Sequence, residues 1–245
     1  MRDSIHRNGA FTRIELAALV AACALLGLLA LRTLATTQSR SHVAQCLNNL
    51  RQMGRATQMW GWPHLPGQPP WRIYSWDGGT RPDPNSPSKP GRAWFEYSWM
   101  SNELVNARIL ACPADRGVRV APDFAAYVTT GFRGQSTSYL LNLHATGEFP
   151  TGLLFGDRNV RFDSYGAGNC VMGVLNVGTF LFSNGDPRRG WTNDASGPGD
   201  VHGLTGNIVR TDGSVSETTS AQLIEAIGKT DANSDQGSVH LLRAR

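Results

Sequence analysis

What this 245-residue sequence lacks narrows its chemistry before any motif is considered. Its four cysteines, Cys23, Cys46, Cys112 and Cys170, include no C-x-x-C pair, which removes the usual zinc site and the thioredoxin-like redox centre. No Walker-type phosphate loop is present, so any energy input must come from a partner. No serine, cysteine or lysine nucleophile stands in a recognisable local arrangement with an acid or a base, and the chain reads as a non-enzyme. A strong excess of one charge is also missing. The formal net charge of +4 is small beside the basic stripe of a dedicated nucleic-acid binder, so nucleic acid is not expected as the main partner. No internal repeat or low-complexity block occurs, and 40 % hydrophobic residues argue against wholesale disorder.

Proline is absent between Phe11 and Gly61, and Trp62-Pro63 supplies the first clear stop, so one continuous helix of about 50 residues is expected. Its first part is apolar. Leu16 to Leu31 carries no charged or polar side chain, and with Phe11 to Glu15 the segment reaches 21 residues, roughly 30 Å at about 1.5 Å per residue, enough to span a membrane. A cleaved signal peptide also pairs a basic start (Arg2, His6, Arg7) with an apolar stretch. Against it, Glu15 sits one residue before the apolar run, and Arg32-Thr33-Leu34-Ala35 offers no good small-x-small cleavage site. A plain uncleaved anchor explains the length of the segment and leaves Glu15 unexplained.

Gly9-Ala10-Phe11-Thr12-Arg13-Ile14-Glu15-Leu16, followed at once by the apolar helix, resembles the prepilin processing motif of type IV pilins and type II secretion pseudopilins. The resemblance implies a membrane peptidase that cuts between Ala10 and Phe11 and methylates the new amino terminus. Ala10 stands where that family usually has glycine, and Arg13 where it usually has an apolar residue. Glu15 then acts as an assembly device: a neighbouring subunit's terminal ammonium neutralises it and sets the helices in one axial register. The positive-inside count is indecisive, because Arg2 and Arg7 precede the helix while Arg32 and Arg40 follow it, so orientation rests on the resemblance.

Beyond the apolar run, Val43, Leu47, Leu50, Met53 and Trp60 recur at spacings of three, four or their sum, a stripe expected to pack on the rest of the protein. Pro63 to Gly91 is rich in proline and glycine and reads as an ordered surface loop pinned by Trp71, Tyr74 and Trp76. Short apolar runs then alternate with turn residues. Asp212-Gly213 is expected to join antiparallel strands at 207–211 and 214–218. Thr219-x-x-Gln222 forms a capping box for a short helix with Leu223, Ile224 and Ile227 on its apolar face and Gly228 as its stop. The tail from Thr230 reads as frayed, Val239, Leu241 and Leu242 excepted.

His202, followed after nine residues by Asp212-Gly213, resembles the H-x9-D-G signature of prepilin-type proteins abundant in planctomycetes and verrucomicrobia. The stretches Cys46 to Gly54 and Leu110 to Asp115 are similar to the same group. His202 and Asp212 could form an acid–base pair or ligate a metal. The favoured reading is structural, with Asp212 and Gly213 suited to a tight turn. No cofactor is expected apart from a calcium candidate. Resemblance to the major pseudopilins implies calcium in a C-terminal loop, where Asp186, Asn193, Asp194 and Asp200 crowd a glycine-rich stretch without EF-hand spacing. Cys46 and Cys112 are the candidate disulfide, given an oxidising periplasm, and would close a loop of about 65 residues worth ~4 kcal/mol.

The fold class expected is α+β and pilin-like: a long N-terminal helix, half membrane-spanning and half amphipathic, packed on an antiparallel β-sheet head. The implied divisions are a leader at 1–10, a transmembrane helix at 11–32, its amphipathic continuation at 33–61 and a loop-rich periplasmic head at 62–245. The expected function is a structural subunit of a pilus-like or type II secretion pseudopilus filament. It would sit single-pass in the bacterial inner membrane with a cytoplasmic N-terminus. Its partners would be like subunits, a prepilin peptidase, an assembly platform with its motor ATPase, and membrane lipid. The alternatives are a membrane-tethered protein whose Trp-rich head binds sugar polymer, protein or DNA, and a periplasmic enzyme using His202 and Asp212.

Overall fold

The computed structural model describes residues 12–81, 92–161, 164–166, 177–181, 190–193, 201–230 and 238–242. The chain divides into two compact units, Met1–Ser41 and His42–Arg245. A single helix, α1, runs Arg13–Gly61.

The expected membrane span at 11–32 is overturned. Among the described residues no helix is long and apolar enough to cross a membrane. Within α1 the uninterrupted apolar run, Leu16 to Leu31, is 16 residues, roughly 24 Å at about 1.5 Å per residue, against a hydrocarbon core of about 30 Å. Arg13 and Glu15 bound it at one end and Arg32 at the other. The single-pass inner-membrane placement, with its cytoplasmic N-terminus and periplasmic head, falls with the span.

The second unit is α+β. Strands β1 (Tyr139–Asn142), β2 (Leu153–Asp157), β3 (Val160–Arg161), β4 (Ser164–Gly166), β5 (Val177–Leu181), β6 (Gly190–Trp191), β7 (Thr205–Arg210), β8 (Val215–Thr219) and β9 (Ser238–Leu242) are joined by short helices. Seven of these strands form one sheet in the order β4-β5-β9-β1-β2-β7-β8, and β3 pairs with β6 separately. Every paired neighbour in the large sheet is antiparallel. Both faces of the central strands are covered, which is why they read as continuous apolar runs rather than alternating ones. Tyr139, Leu141, Val209 and Leu242 join the cluster that contains Cys46, Leu50, Met53 and Trp60 of α1. Leu140, Ile208, Val239 and Leu241 join a second cluster with Leu223 and Ile227. A register shift between Leu153 and Phe155 interrupts the alternation of β2, so that consecutive Leu154 and Phe155 serve one cluster while Leu153 serves the other.

Residues buried on α1 recur with helical spacing at Cys46, Leu50, Met53, Thr57 and Trp60, so the stripe runs through a cysteine and a threonine as well as the larger apolar residues. Gly54 lies on that side, and a Cβ there would come 2.9 Å from Val209 Cγ2, so its missing side chain lets β7 approach the helix. The hairpin forms with Val209 opposite Val215 and Thr205 opposite Thr219. Helix α2 (Ser220–Gly228) starts with the Thr219–Gln222 capping box and ends against Lys229, so Gly228 is its last residue rather than a residue beyond its end.

Two expectations change. The tail supplies β9, bonded to β5 on one side and β1 on the other, near the middle of the sheet. Trp71 is buried and its indole N–H donates to the Asn142 carbonyl at 2.9 Å, pinning the loop as expected, whereas Trp76 is 59 % exposed and stacks on Tyr74.

Candidate functional site

In the first unit the α1 start is built by Thr12 and Glu15. Thr12 accepts the first helical hydrogen bond, from the Leu16 N–H at 3.1 Å, and its hydroxyl oxygen accepts from the Glu15 N–H at 3.3 Å. Glu15 Oε2 in return accepts from the Thr12 N–H at 2.8 Å and from its hydroxyl at 3.0 Å. This is a capping box, which satisfies otherwise orphaned donors. The backbone N–H of Thr12, and then its hydroxyl, hold the Glu15 carboxyl below its usual range, so Glu15 is anionic and exposed. Ala10 and Phe11 lie outside the described residues.

After Glu15 the helix presents Leu16, Leu19, Val20, Leu25, Leu26, Leu28, Leu29 and Leu31, each more than half exposed. At 3.6 residues per turn these positions fall on every side of the helix. A helix that is apolar all round is one that a complete structure buries.

In the second unit the sequence motifs converge on one buried cluster. Cys46 and Cys112 form a disulfide with Cα atoms 5.2 Å apart. His202 lies against it: Nε2 is 3.4 Å from Cys112 Sγ and 3.6 Å from Asp157 Oδ2. Asp157, the last residue of β2, accepts on Oδ2 from the Asn207 N–H at 2.6 Å and from the Asn207 side chain at 3.0 Å. Its Oδ1 is buried with no hydrogen-bond partner among the described residues, as are Asn159 Oδ1 and Asn207 Oδ1. Burial pushes the Asp157 carboxyl up to about 8, against the opposing pull of the Asn207 hydrogen bonds.

Beside it Asp115 behaves in the opposite way. Burial would raise its pKa, but Arg158 outweighs burial with a bidentate pair, Nε to Oδ2 at 2.5 Å and Nη2 to Oδ1 at 2.7 Å. The Ser138 hydroxyl and the Gly117 N–H complete the shell, and the carboxyl sits below its usual range. Ser138 Oγ also accepts from the Cys112 N–H at 3.0 Å, which ties this ion pair to the disulfide.

His202 and Asp212, read together in the sequence, hold separate posts. Asp212 is in the β7–β8 turn, where its Oδ1 accepts from the Ser214 N–H at 2.8 Å and its own N–H donates to the Pro150 carbonyl. Gly213, at φ +84°, adopts the left-handed geometry the turn needs. Gln58 of α1 donates to the Thr211 carbonyl at 3.3 Å, so the turn is docked on the helix. Asp186, Asp194 and Asp200 lie outside the described residues, and Asn193 is exposed. Sequence reasoning missed Asp157 and Arg158. Gly156-Asp157 reads as a turn dipeptide, and nothing local marks the arginine that follows as a partner for Asp115.

Cys46 Sγ, Cys112 Sγ and His202 Nε2 all lie within 4.8 Å of one another, a set of metal-ligating atoms in which the two sulfurs are bonded together. His202 therefore faces a disulfide, not a nucleophile it could activate. Compared with protein-family models, curated proteins and solved structures, the chain shows no match to any of the three.

Proposed function

We propose that the chain is a structural subunit of a pilus-like or type II secretion pseudopilus filament, processed by a prepilin peptidase before Phe11 and assembled through α1. The observation that carries this reading is the exposed apolar surface of α1 from Leu16 to Leu31. Each large aliphatic side chain there gains about 1.5–3 kcal/mol when fully buried, and equivalent helices of other copies are the natural cover. Hydrophobic burial alone sets no register. Glu15, anionic and exposed at the start of the run, supplies it by pairing with the amino terminus that cleavage would create on a neighbouring copy.

The motif set supports the same reading. The prepilin-like segment, the Cys46–Gly54 stretch, the Leu110–Asp115 stretch and the H-x9-D-G signature occur in the order of the group they resemble. The test is the mature N-terminus, by mass spectrometry of protein co-expressed with a prepilin peptidase. A chain beginning with N-methylated Phe11 is expected, and a start at Met1 under those conditions removes both the processing and the role given to Glu15.

A second reading, a binding head, has one observation in its favour. Tyr74 and Trp76 stack with ring centroids 4.3 Å apart, and Arg81 lies 4.4 Å from the Tyr74 ring centroid. Such a stack is a platform for a planar or sugar-ring ligand. Loss of polysaccharide retention in Trp76→Ala, with unchanged thermal stability, is the result that would favour it.

A further inference from the structure

We propose that Cys46, Cys112 and His202, with Asp157 at the fourth position, form a redox-gated site for zinc, available when the Cys46–Cys112 disulfide is reduced. The ligand types and their spacing carry the argument. Zinc takes four ligands in a tetrahedron with Zn–S of about 2.3 Å and Zn–N or Zn–O of about 2.0–2.2 Å, which places neighbouring ligand atoms roughly 3.3–3.8 Å apart. His202 Nε2 already stands 3.4 Å from Cys112 Sγ and 3.6 Å from Asp157 Oδ2. Two edges of the tetrahedron thus exist in the oxidised protein. The remaining displacement is the separation of the two sulfurs once their bond is broken, and all three sulfur and nitrogen atoms start within 4.8 Å of one another.

The surroundings would favour an ion once the two thiols ionise. Both cysteines are essentially fully buried, and thiolates removed from water need a cation. Asp157 Oδ1 is buried and unpartnered among the described residues, so the carboxylate whose Oδ2 lies 3.6 Å from His202 has spare acceptor capacity. The Cys112 backbone is fixed by Ser138, which Asp115 and Arg158 hold in turn, so one sulfur ligand is oriented before any ion arrives.

The redox step balances with a dithiol as the reductant. One of its thiolates attacks a cysteine sulfur, forms a mixed disulfide and releases the other cysteine as a thiol. The second thiolate of the reductant then displaces the remaining cysteine and leaves as a cyclic disulfide. Two electrons and two protons pass to Cys46 and Cys112, and zinc entry releases those protons as both sulfurs coordinate. Reoxidation runs by the reverse exchange with a small-molecule disulfide, which accepts the two electrons and is released as its dithiol; the Cys46–Cys112 bond re-forms, both thiolates are lost and the ion leaves.

The test uses the full chain with Cys23→Ser and Cys170→Ser, reduced with a dithiol and freed of it under argon, and cobalt(II) as a coloured stand-in for zinc. One equivalent of cobalt is expected to give thiolate-to-metal charge transfer and the visible bands of a tetrahedral ion, with zinc displacing it. The oxidised protein should give neither signal, and His202→Ala or His202→Gln should weaken binding roughly tenfold or more. Near-ultraviolet circular dichroism follows the fold. A reduced chain that regains its tertiary signal only on adding zinc supports the site. No cobalt binding by the reduced chain, binding as tight in the His202 variants as in the protein that keeps His202, or binding equally tight in urea overturns the proposal.

Discussion

Gly54 and Arg158 show how single positions hold the second unit together by opposite means, one by having no side chain and the other by having a charged one. At Gly54 an added Cβ would meet Val209 Cγ2 at 2.9 Å and Gly213 Cα at 3.7 Å, and neither neighbour is the loose end of a flexible chain. Gly54→Val should cost about 1–3 kcal/mol through overpacking, although valine is the better helix former. Gly27, in the same helix with nothing within 4 Å of the added atom, is the control. Gly27→Ala should raise helicity by circular dichroism without loss of stability. At Arg158 the loss is electrostatic. Removing the guanidinium leaves the Asp115 carboxylate buried and uncompensated, so Arg158→Met should cost roughly 3–5 kcal/mol. The pH dependence should also change sign. In the native protein Arg158 holds the Asp115 carboxyl below the ordinary aspartate value, so this contribution to stability is present above that ordinary value and is lost as pH falls through the folded-state value. Without Arg158, burial dominates and raises the carboxyl, and the contribution of Asp115 then declines as pH rises. Urea unfolding of both proteins between about pH 2 and 7 measures the two slopes.

At the scale of elements, β9 is where a short piece of chain matters most. It lies between β5 and β1, so its removal would split the sheet, leave each of those strands unpaired on one side and take Val239, Leu241 and Leu242 out of two core clusters. Truncation after Thr230 should abolish cooperative thermal unfolding rather than shift its midpoint. A truncated protein that still melts in one sharp transition would show that the sheet does not depend on β9. This strand also marks the boundary of what the sequence made legible. The Asp212-Gly213 turn, the Thr219–Gln222 capping box and the α1 stripe could be read because each is written in residues a few positions apart. The position of β9 could not, since its partners Asn142 and Gly178 are far away in sequence and its five residues sit in a polar tail. The same limit applies to the buried cluster. Cys46, Cys112 and His202 drew notice as motif residues, but their meeting with Asp157 depends on α1, the loop before β1, the end of β2 and the approach to β7 being brought together by the sheet. The apolar run was legible as composition. It reaches the length of a membrane span only when the charged residues Arg13 and Glu15 are counted into it.

For the whole molecule, the two units pose different problems to water. Residues 42–245 carry their own clusters, disulfide and buried ion pair, and have what a domain needs to fold alone. The apolar part of α1 in the first unit has no such cover, and a chain that shows this surface should associate until it is buried. Sedimentation of the full chain should therefore reveal assemblies at concentrations where residues 42–245 alone are monomeric and melt cooperatively. Within the full chain two substitutions separate the sources of association. Leu25→Arg places a charge on a residue that is 63 % exposed, so it should leave the second unit's melting unchanged while dispersing the assemblies. Glu15→Ala removes the charge proposed to set the register but little apolar area, so it should permit association while abolishing order. Cysteine pairs engineered along α1 should then cross-link at many offsets instead of one. If Glu15→Ala assemblies keep a single cross-linking offset, the glutamate does no more than cap its own helix with Thr12, and the register of the assemblies must come from the second unit.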